Sequence, residues 1–342
     1  MDVAREIRHV GRHQDRHGKL VLGIVHGEPS CADTELRHCS QRGHGPRGGV
    51  NMDARHHSPQ GDAAMPSPTI ALLHPGAMGA AIGACLVATG HRVLWCSAGR
   101  SAATAERARQ AGLVDAGTMA DALRAADIAI SVCPPDNALD LAREVAEHRY
   151  GGIFVDANAV SPATLRQIQD AVRAGGARFV DGGIIGQPPR AAGSTRLYLA
   201  GDAAAEIAAR FEGSALQAIA LDSPAGSASA LKICYAAWSK GATALLAGIR
   251  ALARHEGVEP ALLAEWQLSS PQTPARSEEV AQKAEKAWRW VGEMEEIAST
   301  FHAAGLPSGF HLAAADIFRR LDVYKDAPRP PAMDEALDRL RR

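Results

Sequence analysis

Aromatic residues are scarce in this chain, at 4% of 342 positions, and net charge is almost absent, at −1 near neutral pH. Without an excess of either sign the chain has no broad field for a polyanion. That excludes nucleic acid as its main partner and a strongly electrostatic dock on a membrane. No apolar run is long enough to cross a bilayer. No basic start followed by an apolar core marks a secretory signal. The six cysteines (Cys31, Cys39, Cys85, Cys96, Cys133 and Cys234) form no C-x-x-C and no regular spacing. They read as buried free thiols in a reducing cytoplasm rather than as a disulfide framework. Cys31, His38, Cys39 and His44 match no standard zinc spacing, so no metal site is expected.

What remains is a chain rich in alanine and glycine, long enough for two domains and a sizeable core. Residues 1–66 are dense in His, Arg and Gly and hold no sustained helix or strand period. They read as a disordered leader, because little apolar surface is available to offset the entropy of ordering. From residue 67 to 224 short apolar runs alternate with helical stretches. This is the pattern of an α/β, doubly wound (Rossmann) parallel sheet. From 225 to 325 strands stop and helical periodicity takes over, predicting an all-α second domain; residues 326–342 read as a C-terminal tail.

The first unit of the alternation is the most informative. Thr69 to Leu73 predicts a buried strand, and a small-residue helix with Gly79, Ala80, Gly83 and Ala84 ends at Gly90-His91. Arg92 to Cys96 is the next strand. Between first strand and helix lies His74-Pro75-Gly76-Ala77-Met78-Gly79, a glycine turn in which the usual first glycine is replaced. Such a turn lets helix N-terminal amides approach a pyrophosphate. The second strand ends in Trp95-Cys96-Ser97-Ala98-Gly99-Arg100-Ser101 with no carboxylate. An NAD site usually carries an acid there to bond the ribose hydroxyls. Ser97 and Arg100 suit a 2′-phosphate instead, so NADP is the expected cofactor.

Later strands end in two more loops at the carboxyl edge of the sheet. Asp127 to Val132 runs into Cys133-Pro134-Pro135, with Cys133 and Pro134 expected beside the cofactor. Ile153 to Asp156 runs into Ala157-Asn158-Ala159-Val160-Ser161-Pro162. Ser161 reads equally as a helix N-cap with Pro162 at the first helical position and as a substrate contact. Phe179 to Asp181 is followed by Gly182 to Pro189. This segment reads either as a plain loop or as a place where a ligand comes close to the backbone. Ser229 to His255 is one long, apolar helix, expected to lie buried between domains or subunits. Glu278 to Ala303 and Phe310 to Leu321 predict two further helices.

Taken together, HPGAMG (74–79), SVCPP (131–135), VDANAVSP (155–162), FVDGGIIG (179–186) and GSASALKICYAAWSKG (226–241) resemble the superfamily of β-hydroxyacid dehydrogenases and 6-phosphogluconate dehydrogenase. The stretch KAWRWVGEMEEIASTFHAAGLPSGFHLAAADIFRRL (286–321) resembles a little-characterised bacterial branch of NADP-dependent oxidoreductases with a distinctive C-terminal domain. The resemblance implies that Lys232, on the long helix, is the acid–base group. Burial would lower its pKa toward the range where an amine can work as a base. Three positions depart from the superfamily. Its usual Asn four residues after the lysine is Ala236, leaving Tyr235 or Lys240 to assist. Its substrate-binding serine-glycine-glycine is Ile185-Gly186-Gln187, and an earlier serine is Asn158.

These readings predict a cytoplasmic, homodimeric oxidoreductase joined through its C-terminal helices. Hydride would pass between NADP and a carbinol or ketone carbon of a hydroxyacid-like small molecule, with Asn158, Gly186 and Gln187 bordering it. Imine reduction is a variant within the same class. From a different class comes a non-catalytic NADP-binding sensor or partner-binding protein, which would bind NADPH and turn nothing over.

Overall fold

The computed structural model describes residues 67–341 other than 326. Residues 1–66, read as a disordered leader and holding Cys31, His38, Cys39 and His44, lie outside the described residues. The chain begins with β1 (Ile70–Leu72), α1 (Ala77–Ala88), β2 (Val93–Trp95), α2 (Ala102–Gln110), β3 (Val114–Asp115), α3 (Met119–Ala125) and β4 (Ile128–Ser131). It continues through α4 (Pro135–Glu147), β5 (Ile153–Asp156), α5 (Pro162–Ala174), β6 (Arg178–Gly186), β7 (Thr195–Ala200), α6 (Ala204–Ala209) and β8 (Leu216–Ala220). The strands form one eight-stranded sheet in the order β3-β2-β1-β4-β5-β6-β7-β8. Every pairing is parallel except β6 with β7. The order reverses between β1 and β4, which is where open α/β sheets bind ligands at the carboxyl ends of their strands.

Every residue of β1, β2, β4 and β5 is buried, as near-continuous apolar runs covered on both faces by helices should be. One core, around Ile82, Leu86, Ile128 and Phe211, fills one face; another, around Leu141, Phe154, Ile168 and Phe179, fills the other. Ser161 caps α5, its Oγ accepting from the Thr164 amide at 3.2 Å with Pro162 behind it. The described cysteines are all free, but only Cys85 and Cys96 are buried, and Cys234 is exposed.

Of the glycine-rich segment after Asp181, Gly182 to Gly186 is strand and only Gln187 to Pro189 is loop. β6 runs unbroken to Gly186 because β7 pairs with it from Asp181 to Gly186. Gly182 and Gly183 admit other parts of the chain. A Cβ on Gly183 would lie 2.5 Å from the Ala228 carbonyl oxygen, so the next helix rests directly on the strand.

That helix is α7 (Ser227–His255), followed by α8 (Glu259–Ser269), α9 (Thr273–Ser277), α10 (Glu279–Gln282), α11 (Ala287–Ala303), α12 (Gly309–Arg320) and α13 (Met333–Leu340). A third core around Ala247, Met294, Phe318 and Leu337 joins α7, α11, α12 and α13. The single helix expected over 278–303 is broken at residues 283–286, where the chain changes neighbours. α10 packs on α7 and α13, whereas α11 packs on α12 as well as α7. The segment read as a tail contributes α13, whose Ala336, Leu337 and Leu340 are buried in this core. α7 is buried along one side only; Tyr235, Trp238, Leu245 and Leu252 are exposed on it. Among the described residues no helix is long and apolar enough to cross a membrane.

Candidate active site

The first sheet-edge turn is built for an anion. α1 starts at Ala77 with Gly76 as its N-cap and no side-chain cap, so its first-turn amides keep no side-chain partner. A Cβ on Gly76 would meet nothing within 4 Å, whereas one on Gly79 would fall 2.1 Å from the His74 carbonyl oxygen. Gly76 is therefore open toward the crevice, while Gly79 lets the turn close on itself. Burial, then the nearby Arg100 guanidinium, hold the His74 imidazole down at about 4, so it is neutral near pH 7.

Arg100 reaches this turn from the end of β2. Its amide donates to the Ser97 carbonyl at 3.0 Å, closing a turn in which Gly99 takes φ +71°. Its Nη2 lies 3.4 Å from the Leu73 carbonyl oxygen, and its buried Nε has no hydrogen-bond partner; nor has the buried Nδ1 of His74. Two orphaned polar atoms beside a helix N-terminus are what a phosphorylated nucleotide would satisfy, so the residues present fit a nicotinamide dinucleotide.

Farther along the edge, a cavity of about 220 Å³ is bordered by Met78, Cys133, Asn158, Ile184, Gly186 and Lys232. Five segments expected to share a site thus meet at one opening. Burial, and secondarily the Lys240 charge, lower the Lys232 ammonium below its ordinary value, while Glu293 pulls the other way. Pro134, expected beside the cofactor, borders a neighbouring cavity of about 730 Å³ with Pro135, Asp136, Trp288, Arg289 and Glu293.

Not every expected site residue presents a free side chain at this opening. Asn158 is buried and committed to the sheet edge. Its Oδ1 accepts from the Cys133 amide at 2.6 Å, and its Nδ2 donates to Ser131 Oγ at 2.8 Å and Asp156 Oδ1 at 2.6 Å. It ties the β4 and β5 loops together. Gln187 is exposed beyond the cavity, its carbonyl accepting from the Thr195 hydroxyl. Tyr235 is exposed and does not border the cavity. Lys240 is ion-paired with Glu293 of α11 instead of facing the cavity beside Lys232. The Cys133 thiol is pushed up to about 11, chiefly by burial, so it is not a nucleophile near neutral pH.

Two groups escaped the sequence reading. Asp181 Oδ2 accepts from the amides of Gly226, Ala228 and Ser229 at 2.8, 2.8 and 3.0 Å, and its Oδ1 takes the Ser229 hydroxyl. A carboxylate on β6 therefore caps α7 and fixes the start of the helix that carries Lys232. Its neighbour in register, Asp156, is pushed up to about 7 by burial, with Asp181 adding to the rise. The only sequence signal was an acid in each of two apolar strands. Asp181→Ala is expected to lower unfolding stability by roughly 2–4 kcal/mol in urea titration. An unchanged midpoint would remove the cap from this account.

Residues 69–221 match the NAD binding domain of 6-phosphogluconate dehydrogenase, and residues 253–321 match a domain of unknown function, DUF1932. An uncharacterised 28.5 kDa protein of Methanothermus fervidus is 30% identical over 168 residues, 49% of this chain; the match spans less than two thirds of that relative, 64%. A conserved hypothetical protein from Sinorhizobium meliloti 1021 is 25% identical, with 80% of this chain and 95% of that one covered at a TM-score of 0.61. The Mycobacterium tuberculosis 3-hydroxyisobutyrate dehydrogenase shares the fold at 19% identity and a TM-score of 0.61, over 80% of this chain and 99% of its own.

Proposed function

We propose that this chain, whose residues 69–221 match the NAD binding domain of 6-phosphogluconate dehydrogenase, is an oxidoreductase with NADP as its cofactor and Lys232 as its acid–base group. The observation that carries this is the meeting of Met78 of the glycine turn and Lys232 of α7 at one cavity. When bound, the nicotinamide exchanges a hydride with a carbon of the substrate. The first-turn amides of Ala77, Met78 and Gly79 would hold the pyrophosphate, with Ser97 and Arg100 on the 2′-phosphate. The Lys232 ammonium would give a proton to the substrate oxygen or nitrogen in reduction. The neutral amine would take it back in oxidation. Pro134 and Gly186 would shape the two sides of the opening.

One observation favours imine over ketone reduction. The larger cavity is bordered by Asp136, Glu293, Glu295 and Glu296, with Arg289 its one cation. Carboxylates suit an iminium better than the carboxylate of a hydroxyacid. A spectrophotometric screen of NADPH oxidation against ketoacids, ketones and cyclic imines tests both. Turnover of imines alone supports the second reading, and no turnover with tight NADPH binding supports a sensor. Free Cys85, Cys96, Cys133 and Cys234 favour a reducing compartment, the cytoplasm. The exposed Tyr235, Trp238, Leu245 and Leu252 of α7 favour a homodimer through that helix. Sedimentation equilibrium is expected to give twice the chain mass, and a monomer at micromolar concentration would contradict it.

A further inference from the structure

Lys232 is not the only ammonium at this end of α7. Lys240 lies on the same helix with its amine 5.8 Å from the centre of the Trp290 ring, and its partner is Glu293 of α11. Lys240 and Glu293 are both shielded, with side chains 21% and 16% exposed, so their attraction is little screened by solvent. Glu293 also borders the larger cavity beside Pro134, Pro135 and Asp136. Glu293 therefore pairs Lys240 and stands where the helical layer meets the sheet edge. Without it, a second, unpaired ammonium would lie two turns along the helix from Lys232.

We propose that Glu293 is a positioning residue of the proton-transfer site, pairing Lys240 so that Lys232 faces a neutral ion pair rather than a competing cation. This rests on Lys232 being the acid–base group. The charged groups acting on Lys232 are Glu293 from α11 and Lys240 from its own helix, and Glu293 favours its charged form while Lys240 disfavours it. The Cys133 thiol, from the β4 edge, is neutral near pH 7. Asp181, beneath the start of α7, is held by the amides it caps. The two opposing charges sit on residues 53 positions apart, so the balance depends on how α11 docks on α7.

The sign of each substitution follows. Glu293→Gln removes the favourable carboxylate and releases Lys240, so the Lys232 proton should leave at lower pH. Lys240→Met removes the unfavourable cation, so it should leave at higher pH. The double variant loses both and should return near the starting value. Glu293→Asp should restore much of the native behaviour. A merely structural ion pair would change thermal stability in the single variants and leave the Lys232 titration where it was.

The test is competitive labelling of the intact protein with acetic anhydride across pH, with the Lys232 peptide quantified by mass spectrometry. The expected result is a midpoint lower in Glu293→Gln, higher in Lys240→Met, and near native in the double variant. An unmoved midpoint in Glu293→Gln and Lys240→Met overturns the positioning role, whatever Lys232 does in catalysis. If Glu293→Gln does not fold, Lys240→Met against native protein decides alone. Normal turnover in a Lys232→Ala enzyme would instead overturn the acid–base reading, and the role assigned to Glu293 would fall with it.

Discussion

Lys232→Ala is expected to lower turnover by about 10²–10⁴-fold, the usual contribution of a positioned acid or base. NADPH affinity should change by no more than about threefold, because the phosphate-holding groups sit on α1 and after β2, away from α7. Two features make the loss large. Lys232 borders the cavity that Met78 enters from the cofactor side, and Asp181 holds the first turn of its helix against β6. The amine is therefore set by the backbone rather than by a flexible loop, and burial lowers its proton affinity toward a working range. The measurement is NADPH oxidation with whichever substrate the screen returns, alongside calorimetry with NADPH. Equal losses of turnover and binding would indicate a damaged fold. Retained turnover would remove Lys232 from the chemistry.

Arg100→Ala is expected to weaken NADPH about 10- to 100-fold and NADH by less than about threefold. A charge-assisted hydrogen bond to a phosphate contributes on the order of 1.5–3 kcal/mol, and nothing on NADH uses it. Arg100 is close to ready for this role. Its guanidinium lies over the end of β1 with a long 3.4 Å contact to the Leu73 carbonyl oxygen and with Nε unpartnered. A 2′-phosphate would replace that poor bond with a charge-assisted one. Arg100→Lys should recover only part of the preference, because an ammonium cannot make the planar two-point contact. Equal loss for both nucleotides in fluorescence titration would mean that Arg100 serves the turn and not the phosphate.

Local signals were the legible ones. The strand, glycine turn and small-residue helix from Ile70 to Ala88 depend on neighbours within a few positions, and the turn at Gly76 to Gly79 stands where the motif put it. The Ser161 cap is likewise a short-range contact. Long-range contacts were not readable. Asp181 meets the amides of α7 from 45 to 48 positions away, and no spacing rule announces such a bond. Asn158 borders the cavity as expected, but its bonds to Ser131 and the Cys133 amide come from another strand and were not readable. Gly182 and Gly183 read as loop because glycine lowers strand propensity; close approach of Asp156 and Ala157 to the first and of α7 to the second is what asks for it there. Lys240 read as a second catalytic amine because its helix face was visible, whereas its partner Glu293 was not.

The sharpest measurement is calorimetric titration of the intact protein with NADPH, followed by NADH. Saturable binding of NADPH at one site per chain, at least tenfold tighter than NADH, is the predicted result. No binding of either nucleotide, or tighter binding of NADH, would contradict a phosphorylated nicotinamide nucleotide seated at the first turn of α1 within reach of Arg100.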